Sequence, residues 1–278
     1  MKKIFNKFIK KKNFTFFLLA IVILGSIPRS IEIISGNFLF GYDQGVFFQA
    51  VKEIIVNHKL TLIGTEVGGG GFFQGPGWYY LLSISFYLWR GDPYGGMMLM
   101  LIVGVLTIAL SVVFGRKIFD GKTALTIGFF VAVSPAIIAQ SRFIWPPFVI
   151  SLLSVFFVFF LYKILQGSGK FFLLLTFIVG LMFHFETATG ATLLIQLLII
   201  SLLFFIKKMV SLKFYTLGLL SFLFTQLSLF VFDIRHDFFN IKGIIKMFTN
   251  SNKEDSLLNR VDLISNHISV FRQNFLST

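Results

Sequence analysis

The stretch GPGWYYLLSISFYLW, residues 75–89, decides how this chain is folded. It is apolar enough to enter a membrane, but at about 1.5 Å per helical residue it is too short for roughly 30 Å of hydrocarbon. Its Gly-Pro-Gly start and aromatic run suit an interface better than a crossing. Around it lie seven longer apolar runs, at 14–35, 97–114, 123–140, 146–165, 171–187, 188–206 and 213–232. One more crossing at 75–89 would move every later loop to the other side, so the placement of charge settles the reading.

Of 278 residues, 56% are apolar, 39 are Phe and only 13% are charged, a composition that no soluble core of this size can absorb. The net charge of +13 would point to nucleic acid in a soluble protein; here its distribution is topological and no nucleic-acid partner is expected. MKKIFNKFIKKK places six lysines before the first apolar run, which holds that end in the cytoplasm beside anionic lipid. The following run, 14–35, is long for a signal peptide and no A-x-A-like site follows it, so it reads as a retained span. If 75–89 does not cross, the loops holding Arg116, Lys117 and Lys122, then Lys163 and Lys170, then Lys207, Lys208 and Lys213 join the N-terminal lysines inside. That puts 14 of the 25 basic residues there, with Asp120 as their only acidic neighbour. The expected fold is an all-α polytopic membrane protein of about seven spans, with interfacial helices in its first outer loop. Residues 1–13 are a basic cytoplasmic N-terminus, 14–232 a membrane module including outer loop 36–94, and 233–278 an extracytoplasmic segment. The absence of cysteine excludes disulfides, thiolate metal sites and cysteine nucleophiles.

In this arrangement the unusual polar residues gather on the outer side. GYDQGVFFQAVKEII (41–55) has a helical period in Val46, Phe47, Ala50, Val51, Ile54 and Ile55, with Lys52, Glu53 and Asn57 opposite, and reads as a helix on the membrane surface. Asp43, with Gln44 beside it, stands at its start, either as an N-cap or as a fixed carboxylate. The glycine-rich stretch that follows has no Gly-Lys-Ser/Thr and is not a phosphate cradle; it reads as a flexible linker or as a mobile flap. Trp78, Tyr79 and Tyr80 read as belt anchors or as a wall for stacking a sugar. SRFIWPP (141–147) supplies Arg142 and Trp145; Arg142 can snorkel or can grip a phosphate through its two-pronged guanidinium. His184 and Glu186 lie in a turn at membrane depth and face a cavity or each other's turns, being too few for a metal site. FDIRHDFFN (232–240) adds Arg235 and His236 beyond the last run. No Ser-His-Asp order, HExxH or nucleotide signature is present.

The order of these features resembles the GT-C glycosyltransferases, and more closely the dolichyl-phosphate-mannose protein mannosyltransferase superfamily and its bacterial relatives. The resemblance runs from about residue 10 to 240 and rests on YDQGVFF, LIGTEVGGGGFFQGPGWYYLL, GDP, SRFIWPP and FDIRHDF. It implies transfer of a sugar from a polyprenyl-phosphate donor to a lipid, glycan or protein hydroxyl, on the extracytoplasmic face of the plasma (inner) membrane, with inversion. Asp43 takes the place of the family's catalytic carboxylate. Gln44, Tyr79, Tyr80, Arg142, Trp145, His184, Glu186, Arg235 and His236 are the candidates for holding substrate, with the phosphate assigned to Arg142 first and Arg235 or His236 second. Many members carry a further acidic residue where this chain reads Trp145-Pro146-Pro147; no metal ligand is assigned, and a divalent metal stays open. Members usually continue well past this length, so the segment from 233 is expected to be incomplete. The alternatives are a transporter or lipid flippase, or an inactive truncated relative.

Overall fold

A computed structural model of the protein describes residues 11–68 and 71–250, with Ser265 and Ser269 besides. Most of the N-terminal lysine cluster and of the segment beyond 250 lie outside the described residues. The order is α1 (Lys11–Ser35), α2 (Tyr42–Ile55), α3 (Gly77–Leu88), α4 (Tyr94–Ile118), α5 (Gly121–Val133) and α6 (Pro135–Gln140). A 3-10 turn at Pro146–Val149 leads into α7 (Ile150–Leu165), and another at Gly169–Phe171 into α8 (Phe172–Met182). Then come α9 (Thr187–Ile206), α10 (Leu212–Arg235) and α11 (Phe239–Asn250). The protein is an all-α polytopic membrane protein. Among the described residues, Asn13–Ser35, Tyr94–Ile118, Pro146–Leu165, Thr187–Ile206 and Leu212–Arg235 are long and apolar enough to cross a membrane. Gly121–Val133 and Gly169–Met182 are shorter apolar helices. Residues 75–89 form only the short helix α3, as their length requires.

The run 123–140 is not one helix. Pro135 has no N–H to give the carbonyl of Val131, and the preceding Ser134 turns to the extended region at φ −61°, ψ 118°, so the chain restarts as α6. The carbonyls left open are answered from α1. Arg29, fully buried, donates from Nη2 to Val131 O at 3.0 Å and from Nη1 to Ala132 O at 2.8 Å. Nη1 also reaches Gly25 O at 2.6 Å, and Nε donates to Ser141 Oγ at 3.2 Å. Gly104 of α4 leaves the room: a Cβ there would stand 2.1 Å from Ser141 Oγ and 3.3 Å from Arg29 Cδ.

The chain divides into two compact units, one made of residues to 65 with 74–231, the other of Glu66–Phe73 with the residues from Phe232. Contacts within the first unit define two ends. At one, the Arg116 guanidinium lies 3.9 Å over the Phe14 ring, Tyr162 donates to Lys117 O at 3.0 Å, and Gly169 packs on the Met209–Val210 backbone. The basic loops 116–122, 163–170 and 207–213 therefore gather together. At the other end Tyr94 donates to Ile33 O at 2.8 Å, and Arg142 meets Glu32. The broken pair α5–α6 thus runs between the same two levels as α1 from Phe14 to Glu32, about 27 Å of helix. Between them lies a core that includes Phe47, Val51, Trp78, Leu82, Met97, Met100, Ile144, Leu175 and Met182.

In the second unit the glycine-rich tip is an ordered hairpin on its described flanks. Glu66 bridges Phe73, and Val67 N–H donates to Phe72 O at 2.8 Å. Phe73 stacks on Phe239 at 5.8 Å, its N–H donates to Asn240 Oδ1 at 2.9 Å, and a Cβ on Gly243 would stand 2.4 Å from Gly71 O. These pairings hold residues 66–68 and 71–73, where the sequence alone reads as a flexible linker or a flap.

Arg29→Leu is expected to lower stability by about 3 kcal/mol, since three helix carbonyls and Ser141 lose this donor in a buried site. In a Pro135→Ala background the restored N–H can take the Val131 carbonyl, and the same change should cost about 1 kcal/mol less, measured by a thermal-unfolding double-mutant cycle in detergent.

Candidate functional site

The site is built where α2 begins. Gly41, not Asp43, is the N-cap of α2, and Asp43 sits inside the first turn. Gln44 fixes this turn. Its Oε1 accepts Gly41 N–H at 2.9 Å and its Nε2 donates to Ile144 O at 3.1 Å, and the side chain is 2% exposed. Gln44 is therefore a buried tie. The face of α2 that carries Phe47, Phe48, Val51 and Ile54 is buried, and Phe47 packs against Trp78 at 6.0 Å, Tyr79 at 6.3 Å and Trp145 at 5.8 Å. The amphipathic pattern of α2 is thus satisfied by protein, which corrects the expectation that its apolar face lies on lipid; Val46, expected on that face, is exposed.

Trp78 and Tyr79 are core residues, at 1% and 7% exposure, so neither is a belt anchor. Tyr80 donates to Thr61 O at 2.7 Å and pins the loop after α2. Burial pushes the phenols of Tyr79 and Tyr80 above the ordinary tyrosine value, so both stay protonated at neutral pH. Trp145 is half-buried between Phe47 and Phe143.

Arg142 pairs with Glu32 of α1, Nε with Oε2 and Nη2 with Oε1, so its two-pronged edge is occupied by a carboxylate of this chain. Nη1 stays outside that fork, on a side chain about a third exposed. Ser141 and Arg142 are thereby tied to Arg29 and Glu32, one turn apart on α1. The reading of the sequence missed both α1 residues, although two ionisable groups at i and i+3 inside an apolar run were the signal.

His184 ties the start of α3 to α10. Gly77 N–H donates to its Nδ1 at 3.1 Å, and its Nε2–H donates to Thr225 O at 2.7 Å, which fixes the neutral tautomer. Gly75 and Gly77 are glycines because the ring fills their space: a Cβ at Gly75 would stand 2.3 Å from His184 Nδ1. Glu186 is the N-cap of α9 and accepts Ala188 N–H at 3.4 Å.

Arg235 and His236 belong to the second unit. Arg235 is exposed; His236 lies flat on Phe232 at 4.2 Å, with Nδ1–H donating to Phe232 O at 2.9 Å. Asp233 beside them is buried and accepts Asn240 N–H at 2.7 Å.

The first unit holds six carboxylates among its described residues, and five are used. Glu32 pairs Arg142, Glu53 takes Lys59 and Asn57, Asp92 takes Tyr94 N–H, Asp120 caps α5 and Glu186 caps α9. Asp43 is exposed and its side chain meets no donor or cation among the described residues. No protein-family model, no curated protein and no solved structure matches the chain.

Gln44→Leu keeps the volume and removes both ties, and is expected to cost about 2 kcal/mol in detergent unfolding, with a loss of protease resistance at the start of α2.

Proposed function

We propose that the protein is a membrane glycosyltransferase of the GT-C kind its sequence resembles, moving a sugar from a polyprenyl-phosphate donor to a hydroxyl acceptor. The observation that carries this reading is Asp43: the first unit's one carboxylate without a structural task among the described residues, on a helix turn held rigid by Gln44. A fixed, uncommitted carboxylate at a surface is what a general base requires. The gathering of the basic loops at the opposite end supports a cytoplasmic N-terminus and an extracytoplasmic Asp43, in the plasma (inner) membrane.

Asp43 takes the proton of the acceptor hydroxyl as its oxygen attacks the anomeric carbon. The bond from that carbon to the phosphate oxygen breaks, and the polyprenyl phosphate leaves with the electron pair, inverting the centre. Arg142, oriented by Glu32, offers Nη1 to the phosphate, so Glu32 sets the direction of the guanidinium and does not compete with the ligand.

The test is sugar transfer in proteoliposomes supplied with labelled polyprenyl-phosphate sugars, with acceptor labelling and water-soluble release both counted. Asp43→Asn is expected to lose about 10²–10⁴-fold in turnover with its unfolding midpoint unchanged. Equal turnover in both proteins would remove Asp43 from the chemistry, and movement of the lipid across the bilayer without transfer would favour a flippase. Arg142→Lys keeps the charge and loses the fork to Glu32; donor KM should rise about tenfold.

A further inference from the structure

The helix α11 starts four residues after α10 ends, and its sides have different surroundings. Asn240 and Gly243 are buried, on the side that meets the 66–73 hairpin: Asn240 takes the Phe73 N–H and Gly243 lies against Gly71 O. Next round the helix, at about 100° per residue, come Ile244, Ile241 and Ile245, at 38%, 41% and 55% exposure. Lys242 and Lys246, one turn apart and both exposed, follow on the far side of the isoleucines. Phe238 just ahead of the helix is also half exposed, at 51%. An apolar stripe with ammonium groups along one border, in a chain that has just left an apolar 24-residue helix, is placed where acyl chains give way to headgroups.

We propose that α11 is a membrane-surface anchor, with Ile241, Ile244 and Ile245 seated in the acyl boundary and Lys242 and Lys246 on anionic lipid phosphates. The occupant follows from charge and continuity. The charged side chains among the described residues of α11 are the lysines on one border of the stripe, which matches an anionic lipid surface, and the helix is tethered within four residues of a candidate span. The hairpin 66–73, bonded to Asn240, is thereby held at the same surface. α2 shows the contrast: its Phe47, Phe48, Val51 and Ile54 are buried in a core with Trp78, Tyr79 and Ile144. This inference is independent of the catalytic reading and rests only on α10 entering the membrane.

The chain has no cysteine, so single labels can be placed on the full-length protein without background. Ile245→Cys and Lys242→Cys, each carrying a polarity-sensitive fluorophore, are reconstituted in vesicles of phosphatidylcholine with phosphatidylglycerol. The label at 245 should be quenched by lipids spin-labelled high on the acyl chain and spared by aqueous iodide, and the label at 242 the reverse. Without phosphatidylglycerol, lipid quenching at 245 should fall roughly twofold or more. Iodide quenching both labels alike would put α11 in water, and a label at 245 shielded from both quenchers would mean that protein covers the stripe; either result overturns the anchor. Lipid quenching indifferent to phosphatidylglycerol would overturn the lysine contacts.

Discussion

A charged side chain in an apolar bundle has to be answered on every donor, and Arg29 is answered by an interruption in another helix. Its guanidinium meets the last carbonyls of α5, at Val131 and Ala132, where the partial negative charge of a helix C-terminus gathers. No carboxylate pairs with it in the described residues; three carbonyls and one hydroxyl share the charge. The break at Pro135 and the arginine on α1 are complementary defects, each costly in lipid without the other. Their pairing fixes where α5 stops, hence where α6 ends and where the turn from Ser141 to Trp145 lies. Ser141 answers Arg29, Arg142 answers Glu32 and Ile144 O answers Gln44, so one short turn ties α1 to α2. The position of Asp43 is the last step of this sequence of constraints.

What the sequence disclosed is what local pattern can carry. Apolar runs and their lengths were enough for an all-α membrane protein and for no more than a short helix at 75–89. Most of the places where the reading departs from the fold involve partners distant in sequence, up to 110 positions away. Asp43 looks like an N-cap because Asp commonly is one, whereas Gly41 holds that place and the Gln44 amide closes the turn. Arg142 looks free for a phosphate because nothing near it in sequence is acidic; Glu32 is 110 positions away. Trp78 and Tyr79 carry the composition of a membrane belt, but only their burial against the tertiary neighbour Phe47 shows that they are core. Pro135 was visible, yet a proline within an apolar run does not by itself say that the helix stops, because membrane helices accept it when a neighbour supplies the missing donor.

The Gly-Pro-Gly before α3 shows the same dependence at smaller scale. Residues 75–77 by themselves close a glycine-rich stretch that reads as a flexible linker or a flap. In the fold Gly75 and Gly77 are spaces for an imidazole, and His184 uses both ring nitrogens to hold α3 and α10. A role for His184 toward a ligand would require giving up one of these bonds, which separates it from Asp43 as a reactive group.

Cohesion among the long helices follows from the solvent they face. Ile23, Leu198 and Phe224 are each at least 60% exposed, while Thr107, Ser111, Thr176 and Gln226 are turned inward. Apolar contact gains little when lipid is as apolar as leucine, so the choice of neighbours falls to close packing and to groups that lipid cannot satisfy. Gln226 reaches the carbonyl of Gly180 at 3.0 Å, and a Cβ on Gly180 would stand 2.1 Å from Thr225 Oγ1, so α8 and α10 meet through a small residue and an amide together. Arg29 and Gly104 combine in a similar way: the guanidinium ties α1 to the end of α5 and to Ser141, and Gly104 of α4 leaves the room for both side chains. Each polar tie is therefore also an address: it states which helix belongs beside which, in a medium where hydrophobicity does not.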